Sequence, residues 1–451
     1  MGIVIMECHQ TSFNSGHHRH QFPITDHISN QDDDHDRDSD RDRENQSDLR
    51  YPSFLSSQRS LQSIPSLASN FKPQNHYQFC LISDFKPHST YLSSLTLAGK
   101  LVFTGSSDRE IGSWNIINNN HNNNIVLAGN GAVKSLVVSG DKLFSAHQDH
   151  KIRVWKIEND NDENRDDKSN HQQPHAMKYT RLATLPTLGD RAAKLLLPKN
   201  QVKIRRHKSC TWVHHVDAVS ALALSPDDRF LYSVSWDRTL KLWRTTDFKC
   251  LESITNAHDD AINAIALSHD GVVYTGSADK KIKAWRKRSL GNKKHSLVCT
   301  LEKHNSGINA LALSNDGSFL YSGASDRSII VWERIFSDDD DDDSEDRGID
   351  VVVLGALRGH GKAILCLAVV EDLVFSGSAD KTVRVWRGME RSYSCLAVLE
   401  GHTGPVKCLS ATVEDCNTTS SGGDTTCVIY SGGLDCLVKV WQIMVPSQDF
   451  L

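Results

Sequence analysis

Apolar and polar residues alternate in short stretches that recur along much of the chain. In "ADKTVRVW" a basic residue separates Val383 from Val385, and in "WDRTLKLW" another separates Leu240 from Leu242. A period of two is typical of a β-strand, because successive side chains point to opposite faces of a sheet. A Trp ends each stretch out of phase with these apolar residues. Both faces of the strand must therefore be covered.

Each alternating stretch follows an Asp, which favours a tight turn because its carboxylate accepts hydrogen bonds from nearby backbone N–H groups. The Asp precedes the Trp by six residues in every copy, and a Ser or Thr stands four residues before the Asp. Repetition at this spacing indicates a stack of equivalent sheets, each covered by its neighbours. The seven pairs are Asp108/Trp114, Asp149/Trp155, Asp237/Trp243, Asp279/Trp285, Asp326/Trp332, Asp380/Trp386 and Asp435/Trp441.

A His precedes six of the seven copies and completes a set of four residues. A buried Trp requires a partner for its indole N–H, and the recurrent hydroxyl and imidazole are expected to supply a small polar network. In the second copy Gly129 stands where the His is expected, so that network is predicted to be incomplete. The complete sets are His88/Thr104/Asp108/Trp114, His215/Ser233/Asp237/Trp243, His258/Thr275/Asp279/Trp285, His304/Ser322/Asp326/Trp332, His360/Ser376/Asp380/Trp386 and His402/Ser431/Asp435/Trp441.

This pattern resembles the WD40 repeat family, whose members are β-propellers built from four-stranded sheets. The resemblance covers residues 77–445 and implies an all-β fold, a seven-bladed WD40 β-propeller, with each set of four residues forming a structural hydrogen-bonded tetrad. The Trp is never followed here by the Asp of the family name. The family topology also implies that the first strand closes the ring. Tyr77–Ile82 is therefore predicted to pair with Leu437–Trp441, which protects an otherwise open strand edge.

A long insertion, at about residues 157–208, separates the second copy from the third. Within it "YTRLATLPTL" suits a strand and "GDRAAKLLL" suits a short helix. Two stretches compete for the outer strand of the third blade, Arg181–Leu185 and Ser209–His214. The shorter distance to His215 favours the second stretch.

Two further insertions and two tails complete the organisation. The insertions, at about residues 337–350 and 414–426, are expected to leave from the face opposite the Asp turns. The first of them contains a run of Asp that is predicted to be a solvated loop, because bunched like charges stay hydrated. Residues 1–70 are predicted to form a disordered low-complexity tail, because they carry mixed charge and Ser-rich runs with little apolar surface. Residues 446–451 form a short C-terminal tail.

Composition narrows the functional classes. The net charge of −5 gives no general attraction to nucleic acid or to an anionic membrane, and no apolar run has the length of a bilayer span. The start, "MGIVIMECHQ", lacks the basic region of a signal peptide. Eleven cysteines without a C-x-x-C pair indicate reduced thiols, which places the protein in cytoplasm or nucleus and predicts no metal site.

The sequence also predicts that the protein is not an enzyme. It contains neither a Gly-rich phosphate loop between a strand and a helix nor a G-x-S-x-G nucleophile elbow. Ser, His and Asp recur together with a Trp in copy after copy, whereas a catalytic triad is normally singular. We therefore expect no cofactor and no small-molecule substrate.

Partner binding is predicted on the face that carries the Asp turns, which family members typically use. Trp236 stands out there, because a large aromatic residue in a turn gains little unless something covers it, and aromatic residues are enriched in interface hot spots. Packing on a neighbouring loop is the alternative. The other candidate contacts are Tyr91, Gln148, Asp259 and Asn305 on the same face, and Arg205 and Arg206 in the basic stretch "KIRRHK".

The sequence favours a non-enzymatic scaffold whose partners are other proteins. Its Ser-rich tail, its "LPTL" followed by an Arg-rich stretch, and "HVDAVSALALS" make it similar to plant WD40 proteins of the JINGUBANG-like group. That similarity implies a plant signalling or transcription-linked regulator. One alternative is a substrate receptor of a cullin-type ubiquitin ligase, for which "WRKR" has the expected base but lacks the acid. The other is an RNA-binding propeller, which depends on "KIRRHK" alone, so nucleic acid is not the favoured partner.

Overall fold

The structure is a computed structural model that consists almost entirely of β-strands. It describes residues 64–67, 78–115, 124–158, 178–195, 201–205, 208–287, 294–335, 349–389, 391–414 and 425–445. In these residues the one α-helix, α1 (Leu188–Leu195), has eight residues. No helix within these ranges has the length and apolarity required to cross a membrane.

Seven four-stranded antiparallel sheets form the blades. Blades 1 to 6 each follow chain order from the innermost strand to the outermost. Blade 1 contains β2 (Leu92–Ala98), β3 (Leu101–Ser106), β4 (Glu110–Asn115) and β5 (Asn124–Leu127); blade 2 contains β6 (Val133–Ser139), β7 (Lys142–His147), β8 (Ile152–Glu158) and β9 (Lys178–Leu185); blade 3 contains β12 (Val219–Leu224), β13 (Phe230–Ser235), β14 (Leu240–Arg244) and β15 (Cys250–Ile254).

The remaining blades repeat this arrangement. Blade 4 contains β16 (Ile262–Leu267), β17 (Val273–Ser277), β18 (Lys281–Lys287) and β19 (His295–Glu302); blade 5 contains β20 (Ile308–Leu313), β21 (Phe319–Ala324), β22 (Ile329–Ile335) and β23 (Asp350–Leu357); blade 6 contains β24 (Ile364–Val370), β25 (Leu373–Ser378), β26 (Val383–Met389) and β27 (Ser392–Leu399); blade 7 contains β28 (Val406–Glu414), β29 (Thr425–Gly433), β30 (Val438–Val445) and β1 (Gln78–Phe85).

The blades close into a ring. Each innermost strand contacts the innermost strand of the next blade, and β28 of blade 7 contacts β2 of blade 1. The strand predicted to close the ring does so, because β1 pairs antiparallel with β30 and places Leu81 opposite Trp441. The strand is longer than predicted and ends at Phe85, whose ring centroid lies 5.3 Å from that of Trp114 in blade 1. Residues from the start of the propeller thus connect blade 7 to blade 1.

Small residues after the tetrad hydroxyl allow neighbouring blades to approach closely. A Cβ placed on Gly323 in blade 5 would lie 2.5 Å from Cγ2 of Ile364 in blade 6, a separation that real Cβ atoms do not show. A Cβ would be similarly close to the first residue of the next innermost strand if it were placed on Gly105, Gly276 or Gly377. The recurrent Gly therefore sets the spacing at which apolar side chains fill the space between sheets.

Both stretches proposed for the outer strand of the third blade are wrong, because β15 (Cys250–Ile254) forms that strand. Arg181–Leu185 belongs to β9, which pairs with β8 and completes blade 2, with Leu185 opposite Ile152. Ser209 and its neighbours instead form β11 (Lys208–Thr211), which pairs with β10 (Gln201–Arg205) in a separate two-stranded sheet. Distance to His215 misled the prediction because the inserted helix and hairpin follow the outer strand. The expected insertion at 157–208 thus contains one regular blade strand.

The insertions at 337–350 and 414–426 lie largely outside the described residues. They connect β22 to β23 and β28 to β29, at the strand ends opposite the Asp turns, as the family topology implied. Residues 446–451 also lie outside the described residues.

The predicted extent of the N-terminal tail is wrong at residues 64–67. Ile64 is buried in the core, and Ser66 forms a parallel β-bridge with Ala356. The other residues of 1–70 lie outside the described residues. The Ser-rich composition gave no indication of this contact, because the strand that receives the segment lies far along the chain.

Candidate functional site

The four residues of the blade 3 tetrad form a directional chain of hydrogen bonds. The indole Nε1 of Trp243 donates to Ser233 Oγ at 2.8 Å, and Ser233 Oγ lies 2.7 Å from His215 Nε2. His215 Nδ1 lies 3.2 Å from Asp237 Oδ2. A carboxylate can only accept, so Nδ1 carries the hydrogen, and Nε2 of the neutral ring accepts from the hydroxyl. Every donor in the chain therefore has a partner.

Blades 4 to 7 repeat this chain. Their His Nδ1 to Asp Oδ2 distances are 2.8–2.9 Å, and each indole donates to the hydroxyl at 2.8–2.9 Å. The residues that the structure brings together are His258, Thr275, Asp279 and Trp285; His304, Ser322, Asp326 and Trp332; His360, Ser376, Asp380 and Trp386; and His402, Ser431, Asp435 and Trp441.

These hydrogen-bond chains contain Ser, His and Asp in the order of a catalytic triad, yet their geometry suits a structural role. Ser233 Oγ is buried and accepts the indole N–H, so its oxygen is not presented to a substrate. Although burial opposes ionisation, the hydrogen bond from His258 lowers the pKa of Asp279 to about 2. Each ionised Asp also anchors its own turn, as when Asp279 accepts from the backbone N–H of Lys281 at 2.9 Å. The tetrad thus fixes the turn at the blade edge.

Blade 1 has a looser tetrad. His88 Nε2 lies 2.8 Å from Thr104 Oγ1, but Nδ1 is 3.6 Å from Asp108 and 3.7 Å from Glu110 and makes no hydrogen bond. Burial lowers the pKa of His88, although the two carboxylates raise it. The ligand atoms of His88, Asp108 and Glu110 lie within 4.8 Å of one another. Structural zinc sites take four protein ligands, so this cluster is one ligand short of a closed site.

The network of blade 2 is rewired: as predicted, no His joins the tetrad hydroxyl to Asp149, but a His from another position bonds the hydroxyl. His147, from within strand β7, places Nε2 2.8 Å from Ser145 Oγ, and its Nδ1 lies 3.1 Å from the carbonyl oxygen of Gly131. Trp155 donates to the same hydroxyl at 2.9 Å. The missing His is therefore replaced by a His that follows the hydroxyl residue in the sequence, whereas every other tetrad His precedes it.

An arginine occupies the space left at Gly129. The guanidinium of Arg153 is buried and binds both carboxylate oxygens of Asp149, at 3.0 and 2.5 Å. A Cβ on Gly129 would lie 2.4 Å from Arg153 Cζ. Burial, together with the nearby Arg153 charge, lowers the pKa of His147 to about 4, so the imidazole is neutral at pH 7, as its two hydrogen bonds require.

A second ring of residues lies at the Asp-turn end of the innermost strands. Each of these strands begins with a β-bulge, and the side chain of the bulge residue is buried. Several of these side chains bind the next blade: Ser220 Oγ donates to the Ile262 carbonyl at 2.6 Å, and Asn309 Nδ2 donates to that of Ile364 at 2.8 Å. The bulge ring consists of Ser93, Lys134, Ser220, Asn263, Asn309, Leu365 and Lys407.

Two lysines make part of the bulge ring basic. Lys134 in blade 2 and Lys407 in blade 7 are 2% and 3% exposed, and they flank blade 1. Burial, reinforced by the charge of Lys407, lowers the pKa of Lys134 to about 8. Sequence reasoning missed both, although "GAVKSLVV" and "GPVKCLS" place Lys at the same position of an apolar strand.

Trp236 lies beside this basic site. The Lys134 Nζ is 5.2 Å from the centroid of the Trp236 ring, a cation–π arrangement between blades 2 and 3. The ring therefore packs on a neighbouring blade, as the alternative expectation had it, while part of its surface stays exposed. Packing on the lysine holds the ring in one orientation at the Asp-turn face.

Exposed apolar side chains lie on the same face of other blades and of blade 3 itself. Tyr91, Val216 and Leu434 are 37–39% exposed, and each lies beside an Asp turn, in blades 1, 3 and 7 respectively. A contiguous run of blades, from 7 through 1 and 2 to 3, thus carries apolar and basic residues on one face. We call this surface the apolar–basic arc; it consists of Leu434, Lys407, Tyr91, Lys134, Val216 and Trp236.

The other candidate contacts lie on the same face but are polar. Gln148 is exposed in the turn of blade 2. Asp259 and Asn305 are exposed in blades 4 and 5, where their backbone N–H groups donate to the turn Asp residues. The Asp259 carboxylate lies 3.6 Å from Lys281. The Asp-turn face is therefore polar across blades 4 and 5.

The residues on which the RNA-binding and ligase-receptor alternatives depend give those alternatives little support. Arg205 is described only by its backbone in β10, and Arg206 lies outside the described residues. Arg286, which follows the blade 4 Trp, pairs with Asp270 at 3.1 Å, and Glu333, which follows the blade 5 Trp, pairs with Arg391 at 2.7 Å. Arg288, the base of "WRKR", lies outside the described residues, so the structure tests this alternative only at the residue that follows each Trp.

Comparisons with known proteins agree with this geometry. The family model described as "WD domain, G-beta repeat" matches residues 207–244, 248–286, 295–333, 352–387 and 393–442. The chain is 24% identical to telomerase protein component 1 of Rattus norvegicus over 52% of this chain and 9% of that protein. It is 26% identical to zinc finger CCCH domain-containing protein 62 of Arabidopsis thaliana, over 41% of this chain and 43% of that protein.

A third relative, pre-mRNA-processing factor 19 of Oryza sativa subsp. japonica, is 35% identical over 20% of this chain and 18% of that protein. The chain thus spans less than half the length of these relatives. The family matches run through blades 3 to 7, where the tetrads have their regular form, and leave out blades 1 and 2, where His88 lacks its Asp contact and His147 enters from within a strand. Seven closed blades, the tetrads of blades 3 to 7 and these family-model matches together support the assignment of the chain to the WD40 repeat family.

Proposed function

We propose that this protein is a non-catalytic scaffold that binds other proteins through the apolar–basic arc. The observation that carries the proposal is the Trp236 ring, held over Lys134 and still partly exposed at the Asp-turn face. A rigid aromatic anchor loses little conformational entropy on binding, and Trp is enriched in interface hot spots. The names of two relatives, telomerase protein component 1 and Elongator complex protein 2 of Rattus norvegicus, also describe parts of larger assemblies.

The arc defines the chemistry of the partner. Tyr91, Val216 and Leu434 offer apolar surface, and Lys134 and Lys407 offer buried positive charge. A charge removed from water attracts an opposite charge more strongly than an exposed charge does. We therefore expect a protein segment that combines apolar side chains with at least one carboxylate.

The cellular setting is a further part of the proposal. We place the protein among plant signalling or transcription-linked regulators of cytoplasm or nucleus, like the JINGUBANG-like group. Relatives from Arabidopsis and rice support the plant setting.

Proximity labelling tests the proposed face. We expect Trp236→Ala to remove most partners that the full-length chain labels, because it removes the aromatic anchor of the arc. Leu251→Ala serves as the control, since Leu251 is 37% exposed on the outer strand of the same blade. Identical partner lists for the full-length chain and Trp236→Ala would contradict the proposal.

The partner found in this way is expected to bind with a pH dependence set by Lys134. A carboxylate placed near Lys134 raises its pKa above the value of about 8 in the free protein, so binding takes up a proton. Affinity should be constant below pH 8 and should fall up to about tenfold per pH unit above it. Lys134→Met should remove this slope in calorimetric titrations, and an unchanged slope would show that another group is responsible.

A further inference from the structure

A short segment of the N-terminal region forms an additional strand on blade 5. The Leu67 N–H donates to the carbonyl of Ala356 at 3.0 Å, and the Ala356 N–H donates to the carbonyl of Pro65 at 3.0 Å. Ala356 lies in β23, the outermost strand of that blade. The outward-facing groups of an outermost strand lack a ladder partner, so they can pair with an added peptide.

Blade 6 holds the same segment from its other side. The backbone N–H of Tyr393, in β27, donates to the carbonyl of Leu67 at 3.3 Å. The guanidinium of Arg358 donates to the carbonyl of Ile64 at 3.2 Å. Two neighbouring blades thus form a groove that bonds the backbone of the segment. We call it the side slot and define it by Gly355, Ala356, Arg358 and Tyr393.

Two apolar pockets select side chains in the side slot. Ile64 is 6% exposed and packs in the same core cluster as Ile349 and Ala356. Leu67 packs with the cluster that contains Tyr393, directly over Gly355, where an added Cβ would lie 2.5 Å from Leu67 Cγ. Gly355 therefore forms the floor of the second pocket. A larger residue at position 355 would fill the pocket that Leu67 occupies.

The two residues between the pockets are exposed. Pro65 and Ser66 are exposed to solvent, so the slot does not select for the Ser side chain. Pro65 contributes a carbonyl acceptor, and its fixed φ favours the extended conformation before binding. The slot therefore recognises the pattern apolar–Pro–any–apolar in an extended peptide.

We propose that the side slot is a peptide-binding site that residues 64–67 occupy in cis, and that a partner protein carrying an extended apolar–Pro–X–apolar segment occupies it in trans. All of the contacts described above are made by four consecutive residues. A separate peptide can satisfy the same donors and pockets, because none of the contacts requires a covalent link to the propeller. This site is separate from the apolar–basic arc, so the proposal does not depend on the proposed function.

The test uses the full-length chain and a fluorescein-labelled peptide with the sequence of residues 60–70, "SLQSIPSLASN". In Ile64→Asp/Leu67→Asp the cis segment loses both apolar anchors and leaves the slot open. We expect this variant to bind the peptide at least tenfold more tightly than the unaltered chain, in which the tethered segment competes at a high effective concentration. A peptide with Asp in place of Leu67 should not bind.

Gly355→Ala provides the steric control. Added to the double variant, it should abolish binding, because its Cβ occupies the position of Leu67. Gly361→Ala should leave binding unchanged, since a Cβ there would have its nearest neighbour at 3.9 Å. Peptide binding that is equal in the open variant and the unaltered chain, or that survives Gly355→Ala, would overturn the proposal.

Amide hydrogen exchange keeps the proposal testable if the double variant does not fold. The amides of Ala356 and Tyr393 both donate to the segment. In the otherwise unaltered chain, Gly355→Ala should accelerate exchange at both amides, and excess free peptide should not restore their protection. Gly361→Ala should change neither amide. Unchanged exchange in Gly355→Ala would contradict the pocket assignment.

Discussion

Replacement of Ser431 by Ala is expected to lower the free energy of unfolding by about 3 kcal/mol. Ser431 Oγ lies 2.8 Å from His402 Nε2 and accepts the Trp441 indole N–H at 2.8 Å. His402 and Trp441 are both buried, so neither can replace the lost bond with water. Each buried polar group left without a partner costs about 1–3 kcal/mol. Urea denaturation followed by tryptophan fluorescence measures the loss.

Ser410→Ala is the matched control, in the neighbouring strand of the same blade. Ser410 pairs with Tyr430 in the register of β28 and β29, and its hydroxyl is buried without a hydrogen bond. Its removal should leave stability unchanged or raise it slightly. If Ser431→Ala and Ser410→Ala lower the free energy of unfolding by similar amounts, the hydrogen bonds of the tetrad hydroxyl do not contribute to stability.

Gly323→Val is expected to destabilise the contact between blades 5 and 6 by about 3 kcal/mol, in the upper range for overpacking. The added Cβ would lie 2.5 Å from Ile364 Cγ2, so the two sheets must separate. Backbone strain is not the cause, because Gly323 does not have a positive φ. The midpoint of urea unfolding should fall accordingly.

A second substitution identifies the clash. Ile364→Ala alone should destabilise through the cavity it creates, but added to Gly323→Val it should recover part of the loss, with a coupling energy of about 2 kcal/mol. Blade 3 carries Val234 at the position of Gly323 and packs it against blade 4, so the spacing between blades is set pair by pair. Simple additivity of the two substitutions would exclude the proposed clash.

The repeating part of the fold could be read from the sequence because its determinants are local. The six-residue spacing from Asp237 to Trp243 encodes one turn and one strand, and seven such spacings encode seven blades. The closing strand could be placed because a ring needs one more apolar strand before the first copy. In blades 3 to 7 the tetrad His comes at a fixed place ahead of its strand, so its contact could be foreseen too.

The remaining features depend on contacts that local pattern does not encode. His147 was missed because its position within a strand differs from that of every other tetrad His. A Lys is normally a surface residue, but the bulge turns the Lys134 side chain into the bulge ring, where Trp236 from another blade covers it. The side slot joins Leu67 to Ala356 across most of the chain. The residues around Leu67 give no indication that Ala356 is its partner.

The central claim is that all seven blades bury a Trp whose indole N–H donates to a strand hydroxyl, and that in blades 3 to 7 this chain of hydrogen bonds continues through His to the turn Asp. The chain has nine Trp residues, and the seven in tetrads are at most 7% exposed. Hydrogen exchange of the indole Nε1 protons, followed by NMR, tests the claim most directly. We predict that seven indole protons exchange only when the protein unfolds. Rapid exchange of any tetrad indole in the folded protein would contradict the account.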